Sequence, residues 1–214
     1  MIGHWRMMDT TTDTKQNTHG PTWWRKPCHI TEDIVLSGDL HHNPVNAKRQ
    51  LDEWHAEGVT HILDCREEWN DEEVVSEHGH GMGYIWHDTH DAGGNQESSW
   101  YQQGWEHYVR IFDENHEAKV MVNCHMGINR APSMVFYLMI REGYEPKEAL
   151  SLIRTNRPIA ACYYAKSAWE TFAKEEGLSD KELSTGLHEI NEFFVENHIN
   201  LAETIHQIRL VEYK

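Results

Sequence analysis

The sequence predicts an α/β fold, a central mixed sheet flanked by helices, with an extra all-helical part at the C-terminal end. Three observations predict it. Short apolar runs bounded by turn residues alternate with amphipathic segments through the first two thirds of the chain. Beyond Gly143 only helical periodicity recurs. Apolar residues make up 39% of the 214, enough for one buried core with extensions.

Taken in order, residues 1 to about 28 are polar and Thr-rich and read as a flexible arm. Trp23-Trp24-Arg25-Lys26-Pro27 would strap that arm to the domain, or present a partner site. His29 to Asp39 is a short strand region. Pro44 opens a helix with Val45, Leu51 and Trp54 assigned to one face, and Gly58 stops it. Thr60 to Cys65 reads as a buried strand, Arg66 to Gly81 as a charged loop, and Tyr84 to His87 as another strand. Asp88 to Asn95 is loop. Ser98 to Asn115 is amphipathic, with Trp105, Tyr108, Val109 and Phe112 at helical spacing. Lys119 to Asn123 is a strand, Ala131 to Glu142 a helix stopped by Gly143, and Lys147 to Asn156 a helix behind Pro146. Two or three helices follow. In the last, Leu183, Leu187, Ile190, Phe194, Ile205 and Ile208 recur at helical spacing. No internal repeat is present.

The formal net charge of -16 argues against nucleic acid or an anionic membrane as partner, since both demand clustered Lys and Arg. It leaves room for an anionic substrate at a locally positive site. The longest apolar run, Met134 to Ile140, is too short to span a bilayer, and the N-terminus shows no apolar signal-peptide core. A cytoplasmic protein is the expectation. Cys28, Cys65, Cys124 and Cys162 are scattered, as reduced thiols are. Among 17 histidines, His78, His80, His87 and His90 could suggest a metal. Ligand spacing on a defined element is missing, so a solvated polar loop is the preferred reading and no metal or other cofactor is expected.

The most informative stretch is Val122-Asn-Cys-His-Met-Gly-Ile-Asn-Arg-Ala-Pro-Ser133. Cys124 closes an apolar strand, and Arg130 enters the first turn of an apolar helix. Amides of residues 125 to 130 can point inward in such a loop and join the positive end of the helix macrodipole. Gly127 permits the curl. Arg130 offers a planar fork for two oxygens of a phosphate. Pro132 suits the first turn. The same field favours the thiolate at Cys124, which makes it a nucleophile. The loop residues His125, Met126, Gly127, Ile128, Asn129 and Arg130 are the candidate substrate-binding residues, and Cys124 is the candidate catalytic nucleophile.

This stretch resembles the signature of the cysteine-dependent protein tyrosine phosphatases, HCxxGxxR followed by Ser or Thr, and the wider chain resembles their dual-specificity branch. Ile30 to Asp39, Gly58 to Asp64, Tyr137 to Met139 and Ala149 to Pro158 are similar to that family's strands and helices. The resemblance covers about residues 29 to 174 and implies the phosphotyrosine protein phosphatase-like fold. It sets residues 175 to 214 apart as a helical extension. It implies a phosphoric monoester hydrolase acting through a cysteinyl-phosphate on a phosphorylated protein or a small phosphate ester. The family's general acid is a carboxylate on a loop upstream of the cysteine. Asp91 and Asp88 both qualify. Asp91 is favoured, because it leaves Trp100-Tyr101 at the start of the next helix.

Three departures stand against the family pattern. Asn123 replaces a His that helps set the cysteine's acidity, and Ala131 replaces a hydroxyl that stabilises the departing thiolate. Ile159 to Tyr164 replaces the usual Pro-Asn segment. A working but slow enzyme is the expectation. A phosphate-binding pseudophosphatase or adaptor, and a rhodanese-like sulfur transferase, are the other readings. Cys65 stands where some relatives form a disulfide with the nucleophile, and a buried apolar role is the alternative. Oligomeric state and natural substrate are not legible at this level.

Overall fold

A computed structural model describes residues 23–91 and 93–212. Most of the N-terminal arm therefore lies outside the described residues. The sheet has five strands: β1 (Cys28–His29), β2 (Ile34–Ser37), β3 (His61–Arg66), β4 (Gly83–Thr89) and β5 (Val120–Asn123). Their order is β1-β2-β5-β3-β4. β1 pairs antiparallel and the other pairings are parallel, so the sheet is mixed. β5 is central, between β2 and β3.

Both faces of the sheet are covered, and strand alternation decides which residue faces which layer. Val35, Ile62 and Met121 face α1 (Pro44–Ala56), where Leu51 and Trp54 complete one apolar cluster. Ile34, Leu36, Leu63, Val120 and Val122 belong to the larger cluster on the other face. There α4 (Arg130–Arg141) packs between the sheet, α3 (Ser98–Glu114), α5 (Pro146–Asn156) and α6 (Ala165–Glu176). Every residue of α4 from Arg130 to Ile140 is buried. A helix apolar on all sides needs such a central position.

Several sequence expectations are corrected. Val45 is 70% exposed, and the buried stripe of α1 is Ala47, Gln50, Leu51 and Trp54. Those four follow the i, i+3, i+4, i+7 pattern, which Val45 breaks. The charged loop after β3 contains α2 (Glu72–His78), whose first-turn acids Glu72 and Glu73 complement the helix dipole while Val75 is buried. Asp88 and Thr89 continue β4 rather than starting a loop. In α3 the buried positions are Trp100, Tyr101, Gly104, Tyr108 and Ile111, one step round from the expected stripe, and Val109 is exposed. The last apolar repeat is split between α7 (Asp180–Glu196) and α8 (Leu201–Glu212). α7 starts at a capping box between Ser179 and Glu182 and packs on α5 and α6. No helix among the described residues is long and apolar enough to cross a membrane.

His87 belongs to this core and not to a metal cluster. Its ring stacks on Trp100 at 5.5 Å, and Nε2 lies 2.9 Å from the Trp100 carbonyl. The carbonyl only accepts, so Nε2 carries the hydrogen. Burial, then the nearby His107, lowers its pKa to about 4 from 6.5. The unfolded chain therefore binds a proton in this window that the folded chain refuses, and stability falls as pH drops from 6.5 toward 4. The loss attributable to His87 is about 3 kcal/mol. Denaturation of wild type and His87→Gln across this range checks it. An identical pH slope in both would refute the assignment.

Candidate active site

Cys124 follows β5 and Arg130 begins α4, so the loop between them bridges the C-terminal end of the central strand and a helix N-terminus. Its curl is fixed from outside. The His125 carbonyl accepts from the Asp39 amide at 3.0 Å, and the Ile128 carbonyl from the Ala161 amide at 2.6 Å. The carbonyls of Met126 and Gly127 accept from Arg157, at 3.0 and 2.6 Å. Arg157 also donates to the Trp24 carbonyl at 2.7 Å. Gly127 has φ +60°, and a Cβ there would lie 2.3 Å from Arg157 Nη2 and 2.5 Å from the Ser37 carbonyl. With the carbonyls turned away, the amides of residues 125–129 have no acceptor among the described residues. Such a run of free amides at a helix start is an anion nest.

Arg130 is buried and held end-on. Nη1 and Nη2 donate to the two carboxylate oxygens of Glu68 at 2.8 and 2.7 Å, and Nη1 also reaches the Thr89 carbonyl at 3.1 Å. Burial opposes the charge on Arg130, but the Glu68 hydrogen bonds together with the charges of Cys124, Glu68 and Asp91 outweigh it and raise its pKa. Burial likewise opposes the charge on Glu68, and its hydrogen bonds to Arg130, the Arg130 charge and a backbone hydrogen bond together bring it below the usual carboxylate value. Nε, on the other edge of the guanidinium, is buried without a hydrogen-bond partner. Its nearest carboxylate oxygen is Asp91 Oδ2 at 3.7 Å. A buried donor left unpaired costs about 1–3 kcal/mol, which an incoming oxyanion would recover.

Asp91 itself is oriented through Oδ1, which accepts from Asn129 Nδ2 at 2.9 Å and from the Tyr164 hydroxyl at 2.5 Å. Asn129 Oδ1 in turn accepts from the Tyr163 amide at 2.8 Å. The turn carrying the two tyrosines has Cys162 at φ +52°. Asp91, Cys124, His125, Met126, Ile128, Asn129 and Arg130 all line one cavity of about 330 Å³. Gly127 supports it from behind. Asp88 is exposed on β4 and does not line it.

The departures also have places. Asn123 donates to Asp64 at 3.2 Å, joining a buried network in which Asp64 also accepts from Tyr84 at 2.8 Å and from Arg66. Ala131 is fully buried. Ser133 Oγ accepts from the Tyr164 amide at 3.3 Å, so it braces the tyrosine turn. Cys65 is buried in the core, and burial, followed by the proximity of Cys124, pushes its thiol far above the usual range.

His78, His80, His87 and His90 do not converge. His80 pairs with Asp52 at 2.7 Å, and His90 pairs with Glu67. The potential ligand atoms that do meet, within 4.8 Å of one another, belong to Asp39, His125 and Glu212. Arg25 bonds that same Asp39 at 2.8 Å, and its positive charge opposes a cation there.

The profile of the dual specificity phosphatase catalytic domain matches residues 44–163, more than half of the chain. The chain belongs to the dual specificity phosphatase family. Solved structures of this kind share its fold. A mouse putative dual specificity phosphatase complexed with zinc tungstate superposes with a TM-score of 0.58 at 11% identity, covering 77% of this chain and 97% of that one. Human DUSP28 gives 0.55 at 11% identity, covering 68% and 91%. PTPMT1 in complex with PI(5)P gives 0.52 at 16% identity, covering 81% and 98%. No curated protein matches at a significant level. The mixed sheet and its flanking helices are those of the family, with α7 and α8 added.

Sequence reasoning missed Glu68, Arg157, Tyr164 and α8 as parts of this site. Glu68 had a weak signal, an acidic pair directly after a strand. Arg157 had only its position within the family-like Ala149 to Pro158 segment. Nothing local marks Tyr164 or α8.

Proposed function

We propose that the protein is a cysteine-dependent phosphatase that hydrolyses phosphate monoesters, with phosphotyrosine, phosphoserine and phosphothreonine on proteins as candidate substrates. The observation carrying this reading is the set of unpaired donors, the amides of residues 125–129 and Arg130 Nε, beside Cys124. These are the donors that three equatorial phosphoryl oxygens require. In the first step Cys124 Sγ attacks phosphorus. The P–O bond to the leaving group breaks, and Asp91 gives that oxygen a proton. In the second, Asp91 takes a proton from water as the water displaces Cys124 from phosphorus. Glu68 acts as a positioning residue that holds the guanidinium in plane. Tyr164 and Asn129 aim Asp91. No metal enters this chemistry.

A second reading, a phosphate-binding pseudophosphatase or adaptor, is favoured by one observation. Ala131 offers no hydroxyl where the departing thiolate would need one, and Ser133 faces the tyrosine turn. Steady-state hydrolysis of an aryl phosphate by wild type and Cys124→Ser separates the two. The phosphatase reading expects turnover in the wild type alone. Equal rates would leave the adaptor.

A further inference from the structure

The cavity beside Cys124 has a wall that does not come from the region matching the family. Leu201, Ile205 and Arg209 line it, and all three belong to α8. Spaced four residues apart, they form one stripe along that helix. The helix is anchored beside the stripe. Ile208 is fully buried in a cluster with Trp24, Ile128 and Ala161. Glu212 pairs with His125 at 2.7 Å. Arg209 is exposed and has no ion-pair or hydrogen-bond partner among the described residues. The other arginine of the cavity, Arg130, is tied to Glu68. Both carboxylates of the cavity lining, Glu68 and Asp91, face Arg130, which leaves Arg209 as the cation of that lining free to meet an incoming anion.

We propose that α8 is a specificity wall, in which Arg209 receives the side-chain carboxylate of a residue next to the phosphotyrosine of a protein substrate. The inference rests on the reading that the Cys124–Arg130 loop holds the phosphoryl group. Met126, Ile128, Leu201 and Ile205 supply apolar surface for the aryl ring, and Arg209 stands at the exposed end of the stripe. One unpaired cation matches one carboxylate. A lipid headgroup carrying further phosphates would call for additional basic residues, and the loop contains no lysine. The pair would be solvent-exposed, so its effect is modest and screened by salt.

The test is binding to the non-hydrolysing Cys124→Ser protein, measured by calorimetry. The probes are two phosphotyrosine peptides identical except for Glu or Gln on both sides of the phosphotyrosine. The Glu peptide is expected to bind about two- to fivefold more tightly. That preference should vanish in Cys124→Ser/Arg209→Gln and persist in Cys124→Ser/Arg209→Lys. Equal affinities in Cys124→Ser, or a preference unchanged by Arg209→Gln, would overturn the proposal. So would binding only to vesicles containing a phosphatidylinositol monophosphate. Turnover is read separately. An inactive wild type whose Cys124→Ser form still shows the Arg209-dependent preference would refute the phosphatase reading and leave the subsite standing.

Discussion

Arg157→Met is expected to destabilise the protein by about 2–6 kcal/mol and to abolish phosphate binding. Arg157 is 2% exposed and has no carboxylate partner among the described residues. Burial accordingly lowers its pKa, and the carbonyls of Trp24, Met126 and Gly127 stabilise the charge instead. Methionine fills similar volume but donates nothing, so the Met126 and Gly127 carbonyls lose their donor, while the Trp24 carbonyl keeps the Gly38 amide at 2.9 Å. Each buried acceptor left unpaired costs about 1–3 kcal/mol. Met126 and Gly127 lie in the nucleophile loop, so the same change releases the curl that turns the amides inward. Urea unfolding, with phosphate titrated as a ligand, measures both effects. A loss below about 1 kcal/mol with phosphate binding intact would refute this role.

Asp91→Asn is expected to lower kcat by about 10²- to 10⁴-fold, the usual contribution of a positioned proton donor. Asparagine keeps an oxygen to accept from Tyr164 and Asn129 but has no acidic proton to give. The loss should depend on the leaving group. It should be large for phenyl phosphate, whose leaving oxygen needs a proton, and smaller for a nitrophenyl ester. Asp88, exposed on β4 and outside the cavity, predicts near-wild-type rates for Asp88→Asn. The reverse pattern, with Asp88→Asn slow and Asp91→Asn normal, would reassign the acid.

These two residues mark what local sequence can and cannot show. The run from β5 through the loop into α4 is a local feature. A strand end, a glycine and a helix start within twelve residues carry their own geometry, and Cys124 and Arg130 line one cavity as their spacing implies. Asp91 entered through family spacing, and the structure places it at the same cavity. The partners that hold these groups are tertiary. Glu68 meets Arg130 across 62 positions of chain, and Arg157 meets Gly127 across 30. No periodicity encodes such pairings. Val45 failed for a different reason. Helix position, not apolarity, decides burial, and the stripe through Leu51 and Trp54 excludes it. The break between α7 and α8 was hidden because apolar spacing runs on past Asn197, yet it is what allows Leu201, Ile205 and Arg209 to reach the cavity.

The most direct measurement of the central claim is rapid-mixing hydrolysis of a nitrophenyl phosphate, followed by acid quench and peptide mass analysis. With Ala131 in place of a hydroxyl, breakdown of the proposed intermediate is expected to be the slow step. The account therefore predicts a burst approaching one equivalent of nitrophenol per protein, with the phosphoryl group on Cys124. Turnover matching Cys124→Ser, with no phosphate on Cys124 at any time, would contradict it.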